Sequence, residues 1–155
     1  GSRRRIPGGE RMKISTRGRY GLRAVIDLAM QMGEGCVPLG DIARRQDLSL
    51  NYLEGIFSYL KRAGVVTGVA GAQGGYLLAK QPEEISVRDL MLVLEGNMSV
   101  SDPPSPDASP FRRFLQRKVW DEVDKKVEKT LSEITLKDLT EQFQHQESSV
   151  LSSGL

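Results

Sequence analysis

The chain has 155 residues, 39% of them hydrophobic and 27% charged, and a formal net charge of +2. That length suits one domain with an added helical arm, and the composition excludes collagen-like, wholly disordered and membrane-spanning classes, since no run approaches the roughly 18 apolar residues of a membrane helix. One cysteine, Cys36, and one histidine, His145, allow neither an internal disulfide nor a closed zinc site, so no metal and no cofactor is expected. Gly1 to Arg11 lacks the apolar stretch of a secretory leader, and the expected address is cytoplasmic, away from any membrane.

Residues 1–11, with Gly1-Ser2 and the run Arg3-Arg4-Arg5, read as a tag or disordered extension ahead of Met12. From Thr16 to Met32, the residues Tyr20, Leu22, Val25, Ile26, Ala29 and Met32 recur at helical spacing, and Gly33 to Gly35 stops the run. Pro38 introduces a shorter helix, Leu39 to Gln46, with a narrow stripe of Leu39, Ile42 and Ala43. Asp47-Leu48-Ser49 breaks it. Ser49 is placed to cap a third helix, in which Tyr52, Leu53, Ile56, Phe57, Leu60 and Ala63 keep helical period until Gly64. A longer helix followed by two short ones across a tight turn is the helix-turn-helix outline.

Beyond Gly64 the period changes. Val65 to Val69 and Tyr76 to Ala79 are β-prone, with Gly71, Gly74 and Gly75 between them where a hairpin needs positive φ, and they predict a two-stranded wing. Ser86 and Asp89 have capping-box spacing and open a helix through Leu90, Leu92, Val93 and Leu94 to Gly96. Residues 97–110, with Pro103, Pro104, Pro106 and Pro110, form a Pro-rich loop. A long helix then runs to about Glu133, with Trp120, Val123, Val127, Leu131 and Ile134 three or four apart, a stripe that wants a partner helix. Thr135 with Asp138 caps a last helix, Leu136 to about Gln144, and residues 147–155 form a frayed tail.

The resulting fold class is mainly α with a small β-hairpin: a winged helix-turn-helix over residues 12–80 and a helical dimerisation arm over 81–146. Met12 to Lys80 holds nine Lys/Arg against five Asp/Glu, and Gln81 to Leu155 holds nine against fourteen. A basic front half fits a nucleic-acid surface, and an acidic rear half fits contact with protein. Arg17, Arg19 and Tyr20, around the start of the first helix, are the candidate phosphate clamps, because helix N-termini and Arg forks favour anions. Lys61 and Arg62, at the end of the third helix, can reach backbone phosphate or complement the helix dipole, and the dipole role is preferred. An enzyme is not expected: no nucleophile–base pair or carboxylate cluster stands out, and Gly71 to Gly75 lacks the Lys-Ser/Thr ending of a phosphate loop.

Met12 to Leu22, Leu48 to Glu54 and Gly71 to Leu78 resemble, in order and spacing, the signature of the Rrf2 family of transcriptional regulators, and the resemblance extends to about Gln144. It implies a homodimer clasped through Trp120, Val123, Val127, Leu131 and Ile134, with two wings reaching a palindromic double-stranded DNA operator. It also implies that Ser49, Asn51, Tyr52 and Glu54 approach that DNA. Asn can read adenine, Glu can accept from cytosine N4, and the Ser and Tyr hydroxyls suit phosphate or base edges. For Tyr52, contact and packing both stay open, and Ser49 can cap as well as touch. Gln73, Gly74, Gly75 and Tyr76 are the matching wing residues.

The chain departs from the family pattern twice. Relatives usually carry Arg where this chain has Ala70, which removes a side chain suited to a narrow minor groove. Iron–sulfur members place cysteines in and around the Pro-rich loop and a histidine where this chain has Arg117. The resemblance therefore implies no iron–sulfur cluster, and a place in the branch of apo-proteins that repress cysteine-metabolism genes, with a sulfur-metabolism enzyme as a possible co-regulator. Two other readings stay open: a winged-helix protein-interaction module that has lost specific DNA binding, and a redox-sensing regulator acting through Cys36. Against the second, Cys36 reads first as a small, partly buried filler, since neighbouring Glu34 disfavours the thiolate.

Overall fold

The computed structural model describes residues 13–101 and 105–152. The expectations for residues 1–11, for Pro103 and Pro104, and for the last three residues lie outside the described residues. Helix α1 (Thr16–Gln31) starts at Ser15, whose hydroxyl accepts from the Gly18 N–H, and turns Ala24, Val25 and Leu28 fully inward. A 3₁₀ turn, Met32–Glu34, and Gly35 at φ 99° end it, one residue earlier than the apolar period predicts. Helix α2 (Leu39–Gln46) closes on Asp47 in the left-handed region, and α3 (Leu50–Arg62) begins at once under a Ser49 cap. Leu53, Ile56, Phe57 and Leu60 line the inner face of α3, and Gly64 at φ 77° turns the chain away.

Strands β1 (Val66–Val69) and β2 (Gly75–Leu78) pair antiparallel in register Val66↔Leu78 to Val69↔Gly75. Val37 adds a bridge the sequence did not disclose: its N–H donates to the Tyr76 carbonyl at 2.9 Å, and its own carbonyl accepts from Tyr76 N–H at 2.8 Å. The base of the wing is therefore tied to the segment between α1 and α2.

Helix α4 (Val87–Leu94) carries the full Ser86–Asp89 capping box. Helix α5 (Pro110–Leu115), a π turn at Gln116–Trp120 and α6 (Asp121–Ser132) follow one another without a break, so the long predicted helix is present but interrupted by a π turn. Helix α7 (Leu136–Ser152) starts at the reciprocal Thr135–Asp138 bonds, both 3.1 Å. It does not fray at Glu147; between Leu136 and Ser152 there is neither Gly nor Pro to end it.

The boundary expected between residues 80 and 81 crosses a shared core. Leu90 and Leu94 of α4 and Leu136 of α7 are fully buried in the same cluster as Ala24, Leu28 and Phe57. Backbone bonds from Val87 N–H to Ile134 O (2.8 Å) and from Leu136 N–H to Ile85 O (2.9 Å) join the starts of α4 and α7. At the other side of the core, buried Asp27 of α1 accepts from Arg45 Nε and Nη2 and from Gln46 Nε2 at 2.7–3.2 Å, which locks α2 against α1. The guanidinium of Arg45 is held above its usual range, chiefly by the hydrogen bond to Asp27 and against the opposing effect of burial.

Candidate nucleic-acid interface

The amino ends of α1 and α3 open on the same side of the molecule. Thr16, Tyr20, Leu48, Ser49, Asn51 and Tyr52 line one shallow concavity between them. Ser49 takes the capping role, accepting from Tyr52 N–H at 3.2 Å, which leaves Asn51, Tyr52 and Glu54 exposed on the first turn of α3. Tyr52 answers both readings: its ring meets Tyr20 edge-on at 6.0 Å and its hydroxyl lies 3.3 Å from Thr16 Oγ1, yet it remains 38% exposed. Two helix N-termini at one hollow favour an anion there, although Asp47 also lines it and the Gly18 and Tyr52 N–H groups are already taken by the Ser15 and Ser49 hydroxyls.

The candidate clamps divide. Arg19 stays exposed, with Nε donating to Ile14 O at 3.2 Å. Arg17 is half-buried and faces the core side instead: its Nε donates to Leu94 O at 2.7 Å, and its guanidinium lies 5.0 Å from the Tyr59 ring. It ties α1 to α4 and α3, a role that its position at a helix start does not reveal. Arg62 donates to Ser58 O at 3.4 Å within the last turns of α3, in keeping with a carbonyl-capping role, and stacks on Tyr59 from 4.8 Å.

In the wing, Gln73 is exposed, but its neighbours serve the fold. Tyr76 turns its ring edge-on to Phe57 at 4.9 Å, because the alternation of β2 directs it to the core. Gly75 packs against the Val37 backbone and Gly74 against the Val69 carbonyl, so closely that a Cβ at either would collide with main chain. Their bareness is required by the protein's own backbone. Cys36 donates from Sγ to the Gln73 carbonyl at 3.3 Å and is half-buried at the wing base.

Of the apolar stripe on the long helix, Val127 and Leu131 line a cleft with Ile14, Leu22, Met91 and Met98 of the same chain. Val123 and Ile134 are half-buried, and Trp120 is 42% exposed. Phe111, Phe114 and Val119, which the helical spacing did not single out, are exposed beside it.

The loop that begins at Asn97 is fixed to α6 by oxygen groups. Asp124 accepts from Ser99 Oγ (2.5 Å), Val100 N–H (2.9 Å) and Ser101 Oγ (2.9 Å), and Ser101 also donates to Asp121. Burial acts to raise the Asp124 pKa, but these hydrogen bonds outweigh it and hold the carboxyl below its usual range. A depressed carboxyl contributes stability that is present above the unfolded value and lost as pH falls through the lowered one, so loosening is expected below about pH 4. Asp124→Asn at neutral pH should reproduce it, with faster amide exchange at Val100 and Ser101; unchanged exchange would show that the clamp does not hold the loop.

These donors do not fit an iron–sulfur cluster, which takes thiolate: the serines here are committed to Asp124, and the single cysteine is at the wing base.

Three helices, a hairpin behind the last of them and a concave surface at the amino ends of α1 and α3 define a winged helix-turn-helix transcriptional regulator of the DNA-binding class. A family model described as "Rrf2: Iron-dependent Transcriptional regulator" matches residues 14–142, and the chain belongs to the Rrf2 family. The HTH-type transcriptional regulator CymR of Bacillus subtilis (strain 168) is 42% identical over 128 residues, covering 83% of this chain and 89% of its own length. The HTH-type transcriptional regulator IscR of Photorhabdus laumondii is 35% identical over 129 residues, with coverage of 83% and 79%. The solved structure of CymR (YrzC), the global cysteine regulator of B. subtilis, superposes with a TM-score of 0.73 at 40% identity, covering 84% of this chain and 97% of the other.

Proposed function

We propose that this protein is a homodimeric repressor that binds a palindromic operator, controls cysteine or sulfur metabolism in the cytoplasm and works without an iron–sulfur cluster. The observation that carries the reading is the concavity shared by the amino ends of α1 and α3, with Asn51 and Tyr52 exposed in its lining and Glu54 exposed further along α3. Arg19 and Gln73 are the contacts to backbone and groove that accompany it. The metabolic assignment draws on the similarity to B. subtilis CymR, and a sulfur-metabolism enzyme is the proposed co-regulator.

Two features support the dimer. Phe111, Phe114, Val119 and Trp120 are exposed along one helix, more apolar surface than water favours. That helix also carries Arg112, Arg113, Arg117 and Lys118 before Trp120, whereas Asp121 to Lys129 after it hold four acidic residues against three lysines. Antiparallel crossing near Trp120 sets the basic segment of each copy against Asp121 and Glu122 of the other and keeps the two basic segments apart.

The test is a salt titration with duplex DNA. A working regulator binds random duplex at low salt, with affinity falling steeply as salt rises. Ala70→Arg should tighten binding to an A-tract duplex more than to a G·C-rich one, because the added guanidinium suits a narrow minor groove. Equal affinities across the titration would remove the wing from the DNA contact, and no salt-sensitive binding at all would favour the protein-interaction module.

A further inference from the structure

The first turn of α1 is clasped by the end of α4, 80 residues away. Glu95 Oε1 accepts from the Ser15 N–H at 2.9 Å and also from the Ser15 hydroxyl. The same hydroxyl oxygen accepts from Gly18 N–H at 3.2 Å. Gly18 is buried directly beneath: a Cβ there would collide with the Glu95 carboxylate. One turn on, a Cβ at Gly21 would lie 2.7 Å from the Leu94 methyls. Ser15, Gly18 and Gly21 thus match Leu94 and Glu95 as one fitted contact.

The chemistry gives Glu95 a specific task. A serine hydroxyl has one proton and two lone pairs, and a cap works only when a lone pair faces the helix amide. By taking the proton, Glu95 fixes the rotor so that the lone pair meets Gly18 N–H, while its charge suits the positive end of the helix. The turn held this way carries Thr16, Arg19 and Tyr20, the α1 contribution to the concavity. Further along, α1 is secured independently by Ala24, Val25, Asp27 and Leu28.

We infer that Glu95 is a positioning residue for DNA binding: through Ser15 it sets the first turn of α1 against Tyr52 without itself touching nucleic acid. This rests on the DNA-binding reading proposed above. Arg17 still holds the same turn through the Leu94 carbonyl and the Tyr59 ring, and the rest of α1 has its own anchors, so loss of the clasp loosens the first turn and leaves the fold in place.

The experiment compares the wild-type chain, Glu95→Ala and Glu95→Gln by fluorescence anisotropy on one duplex at fixed salt, with Tm and amide exchange measured on the same samples. Glu95→Ala should weaken binding about tenfold, the size of a lost cap, at temperatures where the protein stays folded. Exchange should quicken at Arg17 to Arg19 and not in α3. Glu95→Gln keeps an oxygen acceptor and should restore binding to within about twofold, with slow exchange at the first turn. Wild-type affinity in Glu95→Ala would overturn the inference, and so would tighter binding by both variants, which would make Glu95 merely a repelling charge. A wild-type chain that shows no salt-sensitive binding would overturn the DNA reading and the inference with it. That outcome is read from the wild-type titration alone, separately from the variants.

Discussion

Arg45→Met is expected to destabilise the protein by about 3–5 kcal/mol, the usual cost of leaving a buried charge without its partner. Asp27 is 1% exposed on the inner face of α1, and Arg45 supplies three of its four side-chain hydrogen bonds, Gln46 Nε2 the other. Without the guanidinium, the carboxylate remains inside the α1–α2 contact with one amide donor. Lysine is a poor substitute because it cannot approach both oxygens as a planar fork, so Arg45→Lys should fall between wild type and Met. The double variant Asp27→Leu/Arg45→Met removes the buried charge as well and should recover most of the loss. Urea unfolding measures all three, and a lower midpoint with an unchanged slope is the expected signature. A loss below about 1 kcal/mol for Arg45→Met would mean that water reaches Asp27 and that the pair is a surface one.

Elements with a local cause could be read in the sequence. Ser49 and Ser86 cap the helices they precede, Gly64 ends α3, and of the hairpin glycines Gly71 alone takes the expected positive φ, at 106°, whereas Gly74 and Gly75 are set by close backbone approach. Contacts between distant segments left no such trace. Nothing near Glu95 marks it as the partner of Ser15, and a single bridging residue such as Val37 has no strand period to detect. Period 2 says that successive residues of β2 face opposite ways but not which way, and Tyr76 went to the core. The π turn was hidden because Gln116 to Trp120 are ordinary helix residues. Phe111 and Phe114, nine and six residues before Trp120, fall off its stripe at α-helical spacing, and the extra residue of the π turn rotates the downstream helix by about a further 100°. Asp27 could have been noticed: a carboxylate at the spacing of Ala24 and Leu28 needs a cation to pair with, and Arg45 lies one helix away.

Asn51→Ala is expected to cost about 1–3 kcal/mol of specific binding, or about 5- to 150-fold, while leaving binding to random duplex nearly unchanged. The side chain is exposed on the first turn of α3, the end of a recognition helix that meets base edges, and no packing role competes for it. An amide can pair with both N6 and N7 of adenine, so its loss removes sequence information and no charge. The salt dependence should therefore keep its slope. Arg19→Ala gives the contrast, with weaker binding on every duplex and a slope smaller by about one. The measurement is a competition between random duplex and the sequence that the wild-type chain enriches from a random pool. A uniform loss for Asn51→Ala would assign Asn51 to the phosphate backbone, and no loss on either duplex would move base reading to Tyr52 and Glu54. Because Asn51 is exposed and its removal leaves α3 capped by Ser49, the same sample should unfold at the wild-type midpoint, which ties any change in affinity to the reading surface.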